Sequence, residues 1–128
     1  MYRFSYISGS KNREALKVEY KVIDGIVEAE FCPSEKHQSY KNIVHGGLLA
    51  AIMDDAMAYA INITGETAVT AKIEIRFRKP IRPNDKVTIS AKIEEYVKSV
   101  YYTSAKITNP VNVIMADAKA IFMKQVKG

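Results

Sequence analysis

The sequence predicts an α+β fold, an antiparallel β-sheet of five to six strands wrapped around one long central helix. Three observations lead there. Only one stretch, Gly46 to about Thr64, carries the i, i+3, i+4 apolar spacing of a helix. Two strand-like segments precede it and four follow it. One helix cannot supply the crossovers that a parallel βαβ sheet requires, so the strands must pair antiparallel around it.

The first two strands lie within residues 15–31. Leu16, Val18, Tyr20 and Val22 alternate with Lys17, Glu19 and Lys21, which is the period of a half-buried strand. Asp24-Gly25 is a hairpin signal, and alternation resumes from Ile26 to Phe31. Pro33 to Asn42 is polar and reads as a loop. In the helix, Leu48, Leu49, Ile52, Met53, Ala56, Met57, Ala60 and Ile63 recur at helical spacing. Alanines fill much of the rest, so burial on most sides is expected. Gly65 is a plausible stop.

Beyond the helix, Val69, Ala71, Ile73, Ile75 and Phe77 alternate with Thr70, Lys72, Glu74, Arg76 and Arg78. Pro80, Pro83 and Asn84-Asp85 break that strand. Residues 86–97, 99–108 and 113–124 form the remaining strands, with Asn109-Pro110-Val111-Asn112 as a turn. No repeat or linker interrupts the chain, so one domain over residues 1–128 is expected.

The composition narrows the class. At 48% hydrophobic and 26% charged, the 128 residues suit a globular protein with one core. No apolar run is long enough to span a membrane, and the start lacks an apolar signal core. A soluble cytoplasmic protein is the expectation. The lone Cys32 fits a reducing compartment and reads as a small apolar strand residue. Neither a metal site nor a cofactor is indicated. The net charge of +5 favours anionic partners, but the basic residues are dispersed and no nucleic-acid motif is present.

Two features of the helix carry chemistry. His45-Gly46-Gly47 opens it. The first amides of a helix lack intrahelical partners and sit at the positive end of its dipole. Built from glycine, such a start can receive a carbonyl oxygen that becomes an oxyanion, although two glycines can also simply turn the chain. The second feature is Asp54-Asp55 within an apolar helix. The two carboxylates point about 100° apart and meet different surroundings. Either can be a structural pair, and either, if partly desolvated, can be a general base or nucleophile. Gly47 and Asp54 are separated by roughly 10 Å of helix, too far to share one carbonyl. Joint use therefore predicts a dimer with the site at its interface, and antiparallel pairing of edge strands would build one.

These residues resemble a known family. Phe31-x-Pro33, His37-Gln38-x-Tyr40, Val44-His45-Gly46-Gly47, Asp54, Val69-Thr70-Ala71, Phe77 and Pro80 look like the PaaI-like hotdog thioesterases of phenylacetate pathways. The resemblance implies a hotdog fold and hydrolysis of acyl-CoA thioesters. By analogy Asp54 activates water or attacks the carbonyl, and the Gly47 amide, with Gly46 as partner, polarises it. His45 holds the loop. Thr70, Gln38 and Asn42 fall where relatives place substrate-positioning polar groups. Ser39 and Lys41-Asn42 depart from the usual glycine and proline-glycine of that loop. The resemblance also implies a homodimer, and a homotetramer built as a dimer of dimers.

CoA carries phosphates, and Arg76, Arg78, Lys79, Arg82 and Lys98 are the basic residues placed to bind them. Leu48, Met53, Met57, Tyr59 and Ile61 are the expected lining of an apolar or aromatic acyl pocket. The alternative to an enzyme is a non-catalytic acyl-CoA-binding hotdog module. A hydratase of the same fold needs a close Asp–His pair, which the nine-residue separation of His45 and Asp54 does not give.

Overall fold

The computed structural model describes residues 18–33, 38–40 and 43–125. In chain order the elements are β1 (Lys21–Ile23), β2 (Ile26–Phe31), β3 (Gln38–Tyr40), β4 (Ile43–Val44), α1 (Gly46–Asn62), β5 (Ala68–Phe77), β6 (Val87–Val97), β7 (Val100–Thr108) and β8 (Ile114–Lys124). Six strands form one antiparallel sheet in the order β1-β2-β6-β7-β8-β5, and β3 pairs with β4 separately. The expected sheet around one helix is thus present.

The sheet's helix-facing side explains how closely α1 can lie. Val87, Ile89 and Ala91 of β6, Tyr101, Ala105 and Ile107 of β7, and Ala116, Ala118, Ala120 and Phe122 of β8 are all buried. The alanines leave room for the large side chains of α1, and Ile52, Met53, Met57 and Ile61 are fully buried against them. Thr103 is the polar member of this layer. Its hydroxyl reaches Ala120 O and Met57 Sδ, both at 3.2 Å.

Five expectations change. The polar stretch before the helix holds the short β3–β4 hairpin rather than a plain loop. β1 spans three exposed residues, with Val22 47% exposed, because it is a short edge ribbon paired only through β2. The start of its predicted span, residues 15–17, lies outside the described residues. The helix is buried along one face only, and Gly47 and Ala51 face outward. It ends at Asn62, before Gly65, which takes the positive φ of 93° in the following turn. Cys32 follows β2 and is exposed, not a core strand residue.

The alternation of β5 is broken by a bulge at Ala71. Thr70 pairs with Phe122 and Lys72 with Ile121, so Ala71 has no partner of its own. Residues before and after it therefore face oppositely to a simple alternation. Ile73, Ile75 and Phe77 face the helix side opposite Ala120, Ala118 and Ala116. Thr70 joins them opposite buried Phe122, while Val69 turns outward and is 48% exposed.

Candidate active site

His45 is the N-cap of α1, with extended backbone at φ −60° and ψ 127°. Its carbonyl accepts from Leu48 N and Leu49 N at 3.1 and 3.3 Å. Its ring Nδ1 accepts from the Gly47 amide at 2.8 Å. A Cβ on Gly47 would stand 2.8 Å from His45 Cε1, so the close ring requires glycine there. The Gly47 amide is thereby turned to the histidine. No carboxylate occupies the first turn, which leaves the positive helix end available to an incoming anion or carbonyl.

Phe77 lies against the same helix start. A Cβ on Gly46 would come within 3.3 Å of its Cζ. Sequence reasoning gave Phe77 no role at the site, because its alternation marked it as core. Its 55% exposure is the signal that separates it from core residues.

About two helical turns further on, the two aspartates part company. Thr70 Oγ1 donates to Asp54 Oδ1 at 2.7 Å, which ties Asp54 to the edge strand β5. Tyr20 Oη donates to Asp55 Oδ2 at 2.6 Å, and the Tyr20 ring rests on Tyr59 with centroids 4.7 Å apart. Burial, followed by the Asp55 charge and the hydrogen bond to it, pushes the Tyr20 hydroxyl far above its ordinary pKa. Asp55 thus anchors the segment before β1, and Asp54 is the carboxylate presented at the sheet edge.

The other expected residues scatter. Gln38 lies in β3, and Asn42 falls outside the described residues. Arg76, Arg78, Lys79 and Arg82 gather at the far end of β5 and the loop beyond it, and all are exposed. Arg78 is ion-paired with Asp117. Lys98 sits in the β6–β7 turn with φ 50°, at the opposite end of the sheet where Lys124 N meets Ser99 O. One protomer does not bring it to the other four. Of the expected acyl lining, Met53, Met57 and Ile61 are core residues with no exposure, and only Leu48 and Tyr59 are partly exposed. The helix pattern could not distinguish the face turned to the sheet from a pocket wall.

Two broad cavities, ≈ 540 and ≈ 550 Å³, open on the sheet face away from α1. The first is lined by Arg78, Lys106, Lys119 and Asp117, the second by Lys72, Tyr102 and Ile121, and neither includes Asp54, Thr70 or Gly47. Among the described residues, no group of three or more His, Cys, Asp or Glu could hold a metal ion, and no helix is long and apolar enough to cross a membrane.

The site thus joins a helix carboxylate tied to the edge strand β5 with a histidine-capped helix start built from glycine. Residues 41–116 match the thioesterase superfamily, and the chain belongs to that family. The chain is also similar to mouse acyl-coenzyme A thioesterase 13, 26% identical over 114 residues that cover 76% of this chain and 81% of that one. It spans 62% of the length of a curated relative from Archaeoglobus fulgidus at 25% identity. In structure it is similar to Escherichia coli PaaI of the phenylacetic acid degradation operon, with TM-score 0.82 and 24% identity over 88% of this chain and 83% of that one. It is likewise similar to a Streptococcus mutans protein bound to acetyl CoA, with TM-score 0.81 and 19% identity over 90% and 94%. The fold is the hotdog fold.

Proposed function

We propose that the protein hydrolyses acyl-CoA thioesters in sites assembled between two copies of the chain. The Asp54–Thr70 hydrogen bond carries this reading, because it holds one of the two helix carboxylates at the edge strand β5. The names of the mouse relative and of the CoA-bound structure supply the substrate class.

The thioester oxygen sits at the start of α1. Since the Gly47 amide is occupied by His45, the Gly46 amide is the principal donor to the developing oxyanion, with Gly47 and the helix dipole behind it. Asp54 of the other subunit acts on the carbonyl carbon. As a base it takes a proton from water, whose oxygen bonds the carbon while the C–S bond breaks. The sulfur leaves as CoA thiolate and takes up a proton. As a nucleophile it would form an acyl-aspartate that water then cleaves. Thr70 holds the carboxylate in place for either route. Lys79 and Arg82 near the helix start, and Lys98 brought from the second copy, would receive the CoA phosphates. Gln38 and Asn42 keep the substrate-positioning roles that the family resemblance implies. Two such dimers would pair as a tetramer.

The test is a panel of acyl-CoA esters with thiol detection on wild type and Asp54→Ala. We expect release of free thiol by wild type and a loss of at least about 100-fold in the variant at unchanged fold. Undiminished turnover in Asp54→Ala would remove that residue from the mechanism. Tight acyl-CoA binding with no thiol release by wild type would make the chain the binding module instead.

A further inference from the structure

Consecutive residues of α1 are tied to opposite flanks of the sheet. Thr70 belongs to β5, one edge strand, and Tyr20 comes immediately before β1, the other edge strand. Between those edges α1 packs on β2, β5, β6, β7 and β8. Asp54 accepts from Thr70 Oγ1 at 2.7 Å, and Asp55 accepts from Tyr20 Oη at 2.6 Å. The apolar contact between the two ties has no direction of its own. At the middle of the buried helix face stand Met53, Ala56, Met57 and Ala60. Methionine adapts its shape to its surroundings, and the sheet beneath is lined by Ala105, Ala116, Ala118 and Ala120. Thr103 reaches the helix only through the Met57 sulfur, a weak acceptor, at 3.2 Å. Directional bonds at the flanks therefore do most to fix the rotation of α1 about its axis.

That rotation matters for the carboxylate at the site. Asp54 and Asp55 share one rigid stretch of backbone, so a roll of the helix moves both. A side-chain tip stands about 5–6 Å from the helix axis, so a roll of about 10° displaces a carboxylate by about 1 Å. A misplacement of that size can cost on the order of 100-fold in rate. The two ties are not equally firm. Thr70 is exposed on its edge. Tyr20 is packed against the core, and Val18, two residues before it, is buried there. The Tyr20 ring also rests on Tyr59, one helical turn beyond Asp55, with centroids 4.7 Å apart. Burial and the Asp55 charge keep the phenol protonated, so the donor persists at neutral pH.

We propose that Tyr20 is a positioning residue for thioester hydrolysis: its bond to Asp55 sets the rotation of α1 that holds Asp54 against Thr70 and aims it at the carbonyl. This rests on the thioesterase reading above, in which Asp54 acts on the substrate. Asp55 is then the handle by which the helix is held, and Tyr20 touches neither substrate nor Asp54. The pair of ties divides the work. Thr70 orients the Asp54 carboxylate locally, and Tyr20 orients the helix that carries it.

The experiment measures kcat and KM of wild type, Tyr20→Phe, Asp55→Ala and Asp55→Asn on one acyl-CoA ester that wild type hydrolyses, well below each unfolding midpoint. Phenylalanine keeps the ring on Tyr59 and deletes the donor. We expect Tyr20→Phe and Asp55→Ala each to lower kcat about tenfold, with KM changed by less than about twofold. Asp55→Asn retains an acceptor for the tyrosine and should recover most of that kcat. A role in stability alone would move the unfolding midpoint and leave kcat of the folded protein unchanged. Wild-type kcat in Tyr20→Phe, or a loss in Asp55→Ala that Asp55→Asn does not ease, would overturn the proposal. If Tyr20→Phe does not fold, the two Asp55 variants make the same comparison. Should wild type hydrolyse no ester, the thioesterase reading falls and this one with it. Should Asp54→Ala abolish turnover while Tyr20→Phe leaves kcat intact, only the role of Tyr20 falls.

Discussion

Asp54 and Asp55 are neighbours of the same chemistry, and only their partners separate them. Asp54 accepts from an exposed threonine on a strand edge, and Asp55 from a tyrosine that is covered by Tyr59 and the helix. The sequence showed that two carboxylates sat in an apolar helix and faced different ways. It could not show which met a hydroxyl at an open edge, because both partners are distant in the chain. Tyr20 gives this difference a measurable consequence. Its hydroxyl is held protonated in the folded chain by burial and by Asp55. A raised folded pKa means stability that is complete below the ordinary tyrosine value of about 10 and lost as pH rises above it. Denaturant unfolding at pH 8 and 10.5 should therefore show a steeper loss for wild type than for Tyr20→Phe. Equal losses would mean that the Tyr20–Asp55 bond contributes nothing to that dependence. At pH 8 the Phe variant should itself be about 1–3 kcal/mol less stable, since a charged acceptor loses its donor.

At the scale of elements, the pattern of periods gave most of the fold. One helix period and several strand periods, separated by Asp24-Gly25, Pro80, Pro83 and the Asn109 turn, placed every long element to within a few residues. What escaped were features whose cause is tertiary. The β3–β4 hairpin lies in a polar stretch with no alternation to reveal it. The bulge at Ala71 was hidden because Val69-Thr70-Ala71-Lys72 reads as unbroken alternation. Simple alternation would send Thr70 to solvent and Val69 to the core. The extra residue reverses both and aims the hydroxyl at Asp54. Thr70→Val keeps the strand and its shape but deletes the donor. It should lower kcat about tenfold or more with little change in unfolding midpoint, while Thr70→Ser should retain most activity. A Val variant with full kcat would show that the bulge serves packing alone. The glycines at the start of α1 were legible as a site, but the direction of the Gly47 amide was not, because it is set by the His45 ring.

The whole molecule places its two chemical halves at opposite ends of one strand. The helix start meets Phe77 at one end of β5, and Asp54 meets Thr70 near the other. The helix and the strand therefore run in opposed directions, and the proposed shared site requires a two-fold partner to bring the start of one helix to the carboxylate of the other. Mixed variants test this directly. Asp54→Ala and Gly47→Val are each expected to be inactive alone, the latter because any Cβ there strikes the His45 ring. Unfolded together and refolded, they should recover about a quarter of wild-type activity, since half the dimers are hybrids and each hybrid has one intact site. No recovery, with hybrids shown to form, would place both groups in a site within one chain.

The strand edge to which Asp54 is tied also has a consequence for dosage. If each site is shared, a lone protomer holds every necessary group and can use none of them. Turnover per chain would then fall with dilution, and hydrolysis would switch on with abundance: scarce protein would spare the thioester pool, and only a cell that had accumulated enough of the chain would begin to drain it.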